Sequence, residues 1–182
     1  MQKLAIEESN ADAIFISPVT GIKKKGDFRA VALIRCLEKL IEEGFYNPFG
    51  VLIGPLNTYS RYCGPREAIF TALCRKNFGC NHFIIGRDHT GVGDYYKSSA
   101  NYEIFKKIGD IGIKPIFFED VAYNFETKFY EEVTDKGNYG KISGTEARET
   151  LKSMKDLPEW FMDKEIQEMV KQMIKQGGEV FH

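Results

Sequence analysis

The sequence predicts an α/β fold in which a parallel, Rossmann-like sheet carries helices on both faces. Four short apolar runs recur at intervals of roughly 30 residues, with a helical pattern between each run and the next. Parallel strands require such crossovers, so this spacing favours a parallel sheet over a series of hairpins. With 182 residues, 43% of them hydrophobic, the chain is long enough to bury a substantial core.

Each predicted strand is a short apolar run bounded by glycine, proline or polar residues, and the runs lie at 13–16, 51–53, 82–85 and 114–118. Amphipathic helices are predicted over 29–43 and 101–108, where apolar residues recur at three- and four-residue spacing. A further helix should begin at Pro65, which suits a first helical position, and end at Gly79. Residues 1–9 are predicted to be the end of another helix.

The part of the chain after residue 120 departs from this alternation. Residues 122–141 are polar and aromatic without a clear period, so we predict a long loop there. Ser143 and Glu146 match a capping box, and Asp163 should cap a last helix. We therefore expect an α/β domain over 1–120 and a loop with a helical subdomain over 121–182.

Composition excludes several classes of function. A formal net charge of -1 gives no electrostatic basis for a nucleic-acid partner. No apolar run has the length that a membrane span requires, and no signal peptide precedes the first strand. The four cysteines form no CxxC pair, which favours a reducing compartment. These observations predict a cytoplasmic protein without a membrane or nucleic-acid partner.

A polar loop directly follows the third predicted strand, where ligands bind in open α/β sheets. It places Arg87, Asp88 and His89 between Gly86 and Gly91. The glycines let the backbone approach a ligand closely, and an arginine fork suits phosphate. His89 could contact a phosphate or a base. The alternative is that Arg87 and Asp88 pair with each other and only brace the turn.

Other polar residues leave two interpretations open. The basic run Lys23–Lys25, and Arg61 and Arg66 beside the start of a helix, could face phosphate or could be solvated surface residues. The histidines and cysteines lack metal-ligand spacing, so we expect no protein-bound metal. No GxGxxG, GxxxxGK[ST] or GxSxG motif occurs, which excludes the sequence signals of dinucleotide, P-loop and serine-hydrolase sites.

Four segments in order along the chain carry a family resemblance: SPVTGIKKKGD at 17–27, GPREAIFTALCRKNFGCNHFIIGRDHTGVGDYY at 64–96, ISGTEARETL at 142–151 and LPEWFMDKE at 157–165. They resemble ATP sulfurylase (sulfate adenylyltransferase), in the carboxyl-terminal part of its catalytic domain. The resemblance implies a nucleotidyltransferase-type sheet and adenylyl transfer from MgATP to sulfate, giving adenylyl sulfate and pyrophosphate. It also implies Mg²⁺ bound with ATP and a homo-oligomer in the full-length enzyme.

The same resemblance implies roles for single residues. Gly86, Arg87, Asp88 and His89 match the loop of the family that contacts ATP, with Arg87 and His89 as the catalytic residues. Thr90 matches the position whose backbone N–H contacts sulfate, where the family usually has alanine. Phe118 falls near the segment on the adenine side. The segment after the fourth strand has no cysteine or histidine, so a cluster found in some bacterial members is not expected here.

The chain also departs from the family pattern. The QxRNP segment and the HxxH pair, which supply the other half of the site, do not occur in it, and neither does the domain that precedes them. The resemblance therefore implies a fragment that lacks the first strand of its sheet and is inactive alone. Two alternatives remain open: a non-catalytic nucleotide-binding or interaction module derived from this fold, and a nucleotidyltransferase with a different acceptor.

Overall fold

The computed structural model describes residues 1–21, 23, 25–87, 89 and 95–182. Its helices are α1 (Gln2–Ser9), α2 (Ala30–Glu42), α3 (Pro65–Asn77), α4 (Ala100–Ile108), α5 (Gly144–Lys152) and α6 (Lys164–Lys175). Its strands are β1 (Ala13–Ile16), β2 (Gly50–Ile53), β3 (His82–Gly86), β4 (Lys114–Phe118), β5 (Val121–Asn124), β6 (Phe129–Glu132) and β7 (Tyr139–Gly140).

The four predicted strands all form, and they pair in parallel. β1 pairs with β2 in the register Ala13 to Gly50, and β3 pairs with β4 in the register His82 to Lys114. The α/β class and the parallel pairing are thus confirmed. Within the described residues the strands form two separate pairs, and the single sheet that we expected is not completed.

The helix boundaries follow the predicted signals. Pro65 is the first residue of α3, and Gly79 adopts a left-handed φ of 94° just after its end. The Ser143 hydroxyl accepts a hydrogen bond of 3.1 Å from the N–H of Glu146 at the start of α5. The Asp163 carboxylate accepts one of 2.8 Å from the N–H of Glu165 at the start of α6.

The prediction of a loop over 122–141 is wrong, because β5 and β6 form an antiparallel hairpin there. Tyr123 lies opposite Tyr130, and their ring centroids are 5.5 Å apart. Cross-strand aromatic pairs of this kind stabilise a sheet. Lys128 turns the chain with a φ of 60°. The two strands are only four residues each, so the alternation that would have identified them was too short to detect.

Packing divides the chain into two compact units. The first comprises Met1–Ala11 and Ser60–Asn138, and the second Asp12–Tyr59 and Tyr139–His182. These units are defined by packing alone, so the predicted division into 1–120 and 121–182 stays a prediction. No helix in the described part of the chain combines the length and apolar character that crossing a bilayer requires.

In the first unit, helices cover both faces of β3 and β4. One face packs against α3 and α4 in a cluster of Ala68, Ala72, Ile85, Phe105 and Ile113. Side chains alternate along a strand, so Ile84 points to the opposite face. There it packs with Leu4 and Ala5 of α1 and with Ile116 of β4. This arrangement fixes the carboxyl end of β3, from which the polar loop departs.

In the second unit, α2, α5 and α6 surround a separate core. It contains Ala32, Ala147, Leu151, Val170 and Val180. Gln167 is buried beside it, and its amide donates to the carbonyls of Leu157 and Met162 at 2.9 and 2.8 Å. Its Oε1 accepts the Leu157 N–H at 2.7 Å. Gln167 of α6 thus bonds the backbone of the segment LPEWFMDKE, whose apolar side chains pack into the same core.

Candidate functional site

The predicted ligand loop begins at the last residue of β3, and Gly86, Arg87 and His89 of it are described. The His89 N–H donates to the Gly86 carbonyl at 3.2 Å, so the chain turns immediately after the strand. Asp88 and Thr90 lie outside the described residues. Their expected roles toward ATP and sulfate stay predictions.

His89 turns inward, onto α3 and β3. Its Nε2 lies 3.4 Å from the Thr71 hydroxyl, and its ring meets the Phe83 ring edge-on with centroids 5.4 Å apart. The Thr71 hydroxyl has one hydrogen, which it donates to the Glu67 carbonyl at 2.8 Å. It can therefore only accept from His89. This assigns the ring hydrogen to Nε2 and leaves Nδ1 as an acceptor.

The surroundings of His89 favour the neutral imidazole. Burial lowers the pKa of His89 from its usual 6.5, and the nearby Arg75 guanidinium lowers it further, while Glu67 opposes the shift. At neutral pH the ring therefore carries no charge. Such a ring can exchange hydrogen bonds with a ligand, but it does not neutralise phosphate charge as an imidazolium would.

Glu67 organises the loop that precedes α3. Its side chain is buried, with 4% of its surface exposed. Oε1 accepts the Arg61 N–H at 2.8 Å, and Oε2 accepts the Cys63 N–H at 3.0 Å. The sequence explained this glutamate only by the helix dipole, because a carboxylate in a first turn is ordinary. Its hydrogen bonds to the backbone N–H groups of Arg61 and Cys63 are visible only in the structure.

Gly64 brings the same loop against the segment that follows the predicted ligand loop. Gly64 has a left-handed φ of 52°, and a methyl group there would lie 2.5 Å from carbon atoms of the Tyr96 ring. Only glycine permits this approach. The start of α3 and the residues beyond β3 are therefore close together, as a shared binding site would require.

Arg87 lies at the surface and pairs with a residue after β4. Its Nη1 is 2.9 Å from Oδ2 of Asp120, and both side chains are about two-fifths exposed, at 42% and 38%. The alternative pairing of Arg87 with Asp88 lies outside the described residues. A pair this exposed contributes little to stability. Part of the Arg87 side chain is therefore accessible to solvent beside this pair.

Asn101, which the sequence analysis did not single out, anchors the main chain of this loop. Its Nδ2 donates to the Arg87 carbonyl at 3.3 Å. The side chain is buried, and its Oδ1 has no hydrogen-bond partner within the described residues. A buried carbonyl oxygen of this kind usually has a donor. Asn101 sits in the first turn of α4, where the sequence gives no sign of this role.

Phe118 occupies the end of β4, as predicted. Its side chain is buried with Ala5, Ile116 and Val121. Phe118 is therefore part of the core of the first unit, next to Gly86 of β3 in the ladder. The predicted proximity of Phe118 to adenine remains untested.

The other basic candidates have structural contacts. The Arg61 guanidinium lies 4.5 Å from the centre of the Phe70 ring. In the second unit, Lys23 donates to the Phe28 carbonyl at 3.5 Å. Burial lowers the pKa of this lysine, and the negative charge of Asp27 partly opposes that shift. Lys24 lies outside the described residues, and Arg66 follows Pro65 in the first turn of α3, so its role toward phosphate stays a prediction.

Within the described residues, no three histidine, cysteine, aspartate or glutamate side chains gather as metal ligands. An open groove of about 580 Å³ lies at the amino-terminal ends of β3 and β4, lined by Asn81, Tyr102, Lys106 and Lys114 among others. Ligands of parallel α/β sheets bind at the carboxyl ends, so we do not assign this groove to the predicted site.

The family model of ATP-sulfurylase matches residues 1–173. The chain belongs to the ATP-sulfurylase family. The match includes the loop after β3, the loop before α3 and the segments of the second unit that carried the resemblance. Membership therefore rests on nearly the whole chain and not on the loop alone.

Curated relatives carry the name sulfate adenylyltransferase. The chain is 40% identical over 176 residues to the protein of Ignicoccus hospitalis, and 37% identical over 174 residues to that of Cenarchaeum symbiosum. Both alignments cover 93% of this chain and 45% of the relative. The protein of Trichormus variabilis is 41% identical over 160 residues. The chain thus spans less than half the length of the relatives that it matches.

Among solved structures, the chain resembles a hexameric APS kinase from Thiobacillus denitrificans. The TM-score is 0.65, with 16% sequence identity. The superposition covers 96% of this chain and 33% of that one. At this identity the likeness shows the fold alone.

Proposed function

We propose that this ATP-sulfurylase chain forms the nucleotide-binding part of a sulfate adenylyltransferase active site. The observation that carries the proposal is the placement of His89 at the carboxyl end of β3, held by Thr71. Family membership over residues 1–173 supplies the reaction class. The complete enzyme would transfer the adenylyl group of MgATP to sulfate.

The chemistry assigns the residues of this chain to binding and orientation. A sulfate oxygen attacks the α-phosphorus, the bond from that phosphorus to the bridging oxygen breaks, and its electron pair leaves with pyrophosphate. Sulfate is already an anion, so the attack needs no general base. Catalysis of such transfers depends on positioning and charge stabilisation. Those tasks require fixed donors and cations.

Arg87 and His89 divide those tasks. Arg87 would stabilise phosphate charge by exchanging Asp120 for phosphate oxygens, since arginine binds both groups in the same forked geometry. His89, neutral and fixed in one tautomer, would orient the nucleotide through Nδ1. In our proposal Asp88 and the Thr90 N–H complete the loop toward nucleotide and sulfate.

Mg²⁺ would accompany ATP and supply charge neutralisation on its phosphates. Magnesium bound through substrate phosphates needs few protein ligands. Asp120, which pairs with Arg87, fits that mode as one carboxylate that could reach a metal already bound to the phosphates. Residues of this chain therefore hold the nucleotide, and the nucleotide holds the metal.

The proposal also extends to the setting of the enzyme. The free thiols of Cys36, Cys63, Cys74 and Cys80 support a reducing, cytoplasmic compartment. We expect the complete enzyme to be a homo-oligomer. The solved protein that this chain resembles is named as a hexamer, but at 16% identity the resemblance concerns the fold alone.

A pyrophosphate-release assay tests the reaction. The chain is joined to the part of the Ignicoccus hospitalis relative that lies outside the match, and release from ATP is measured with and without sulfate. We expect sulfate-dependent release from the joined protein and none from the chain alone. The matched control carries Arg87→Ala in the same joined protein. Sulfate-independent release, or no release from a folded joined protein, would contradict the assignment.

A further inference from the structure

We infer that Asn101 is a positioning residue for phosphate recognition, because its side-chain amide fixes the direction in which the Arg87 side chain leaves the main chain. The inference rests on the proposed function for one point, the phosphate that Arg87 would bind. The positioning itself is argued from contacts within the first unit, to which both residues belong.

Hydrogen bonds hold the peptide groups on both sides of Arg87. The peptide group before it contains the Gly86 carbonyl, which accepts the His89 N–H at 3.2 Å. The peptide group after it contains the Arg87 carbonyl, which accepts from Nδ2 of Asn101 at 3.3 Å. Only two soft dihedrals join the planes of these peptide groups. With both planes held, the direction of the Cα–Cβ bond of Arg87 is held as well.

The ion pair of Arg87 with Asp120 does not set this direction by itself. The two side chains are 42% and 38% exposed, and pairs this exposed are weak. The pair also acts only on the end of a long side chain. When a phosphate takes the place of Asp120, the main chain is what still orients the arginine. The hydrogen bond from Asn101 is not affected by that exchange.

α4 gives the Asn101 amide a rigid base. Asn101 lies in the first turn of α4, and Phe105 lies four residues later on the same face of the helix. Phe105 packs in the core cluster with Ile85 of β3. Only 7% of Asn101 and 5% of Phe105 is exposed. The amide therefore reaches the loop from a helix that is packed on the strand from which the loop departs.

The orientation of the Asn101 amide follows from its partner. A backbone carbonyl can only accept, so the NH₂ group and not Oδ1 faces the Arg87 carbonyl. Oδ1 is then buried, and it has no hydrogen-bond partner within the described residues. A buried acceptor without a donor lowers stability. The amide thus makes its hydrogen bond to an exposed loop residue and leaves its own oxygen unsatisfied. This combination is explained by a task in the loop and not by a gain in stability.

Asn101→Leu separates positioning from stability. Leucine has nearly the same shape, makes no bond to Arg87 and removes the unsatisfied oxygen. We therefore expect the urea midpoint of the chain to stay the same or to rise. Affinity for ATP, measured by calorimetry, should fall at least about fivefold. The matched control is Asn81→Leu, at an exposed asparagine before β3, which should change that affinity by less than about twofold.

Two comparisons show whether the effect passes through Arg87. Adenosine carries no phosphate, so Asn101→Leu should change its affinity, followed by NMR titration, by less than about twofold. In an Arg87→Ala background there is no guanidinium to orient. Asn101→Leu should there change ATP affinity by less than about twofold, which is the non-additivity expected of coupled residues. General damage from leucine would instead weaken both ligands and would persist in Arg87→Ala.

Asn101→Asp shows which atom of the amide acts. Aspartate keeps acceptor oxygens and removes the donor, so we expect it to weaken ATP binding at least as much as leucine does. Full ATP affinity in Asn101→Asp would mean that Oδ1 serves the loop, and it would overturn the inference. Folding is checked by circular dichroism, and the leucine variant decides the matter if Asn101→Asp does not fold.

NMR relaxation of Arg87 tests the positioning without a ligand. In Asn101→Leu the order parameter of the Arg87 Nε–H group should fall, and in Asn81→Leu it should not. An unchanged order parameter, an equal loss of adenosine affinity or a full additional loss in Arg87→Ala would each refute the role of Asn101. A chain that binds no ATP, but in which Asn101→Leu still loosens Arg87, would sink only the proposed function. ATP binding that Asn101→Leu leaves unchanged would sink only this inference.

Discussion

The Nε2 atom of His89 lies 3.4 Å from the hydroxyl of Thr71, a residue 18 positions earlier on the adjoining helix. The hydroxyl already donates its hydrogen to the backbone of α3. The contact therefore fixes the ring of His89 in one tautomer and one orientation. The loop after β3 consequently holds one uncharged imidazole in a fixed orientation against α3.

Removing the Thr71 hydroxyl should release that ring. Thr71→Val keeps the shape of the side chain and leaves the Nε2–H of His89 without its acceptor. We expect a loss of about 1 kcal/mol in the free energy of unfolding, the typical worth of one hydrogen bond. Nitrogen NMR of the imidazole should show a mixture of tautomers. Thr150→Val, in α5, is the control, and an unchanged imidazole spectrum in Thr71→Val would refute the contact.

The pH dependence of stability follows from the lowered pKa of His89. The unfolded imidazole binds a proton near the usual 6.5, and the folded one binds it only at lower pH. The unfolded state therefore holds more protons between these two values, so stability rises with pH there. The contribution is fully present above 6.5 and is lost as the pH falls through the folded pKa.

Urea unfolding at several pH values measures this effect. The unaltered chain should lose stability on acidification from 6.5 downward, and His89→Gln should lack that component. Arg75 and Glu67 also face the ring, and Arg75→Met removes one cause of the lowered pKa of His89, so it should lose less stability over the same acidification. Parallel curves for the unaltered chain and His89→Gln would show that His89 is not buried as a neutral ring.

Glu67→Gln should loosen the loop before α3. A glutamine has one acceptor oxygen, so one of the N–H groups of Arg61 and Cys63 would meet an amide NH₂ instead. Leaving a buried donor unsatisfied costs about 1–3 kcal/mol. Thermal unfolding measures the loss. Glu146→Gln, an exposed glutamate in the first turn of α5, is the matched control and should change stability by less than about 0.5 kcal/mol. Equal losses for the two variants would refute the role of Glu67.

How much of this could be read from the sequence depended on the range of each interaction. β1 and β4 were predicted with their observed bounds, because a short apolar run between breakers is a local signal. The caps at Ser143 and Asp163 were local as well. The β5–β6 hairpin was missed, because its mixed aromatic and polar residues have no clear period along the sequence. The pairing of Tyr123 with Tyr130 that stabilises it is visible only in the structure.

The site divided in the same way. The sequence located the loop at Gly86, Arg87 and His89 through its position after a strand. It could not find the partners of that loop, because Thr71, Asn101 and Asp120 are distant along the chain and individually ordinary. Pro115 is a further case. The side of β4 on which its missing N–H lies depends on the register with β3, which the sequence does not provide. Long-range pairing, and not local propensity, separates what was predicted from what was missed.

Gln167 provides a prediction for the second unit. Gln167→Met keeps a similar volume and leaves the backbone groups of Leu157 and Met162 without the hydrogen bonds that the amide makes. We expect a loss of at least about 2 kcal/mol in the free energy of unfolding, measured by urea titration. Gln172→Met, on the exposed side of the same helix, controls for helix propensity. Comparable stability in the two variants would mean that the LPEWFMDKE segment is held by other contacts.

Calorimetric titration of the chain with ATP and with adenylyl sulfate tests most directly whether the loop after β3 binds a nucleotide. Four proteins are compared: the unaltered chain, Arg87→Ala, His89→Ala and, as the matched control at the opposite end of the same strand, His82→Ala. We predict that the first two variants weaken binding at least about tenfold and that the control changes it by less than about twofold. Binding that is lost equally in His82→Ala, or unaffected in both loop variants while each remains folded, would contradict the account.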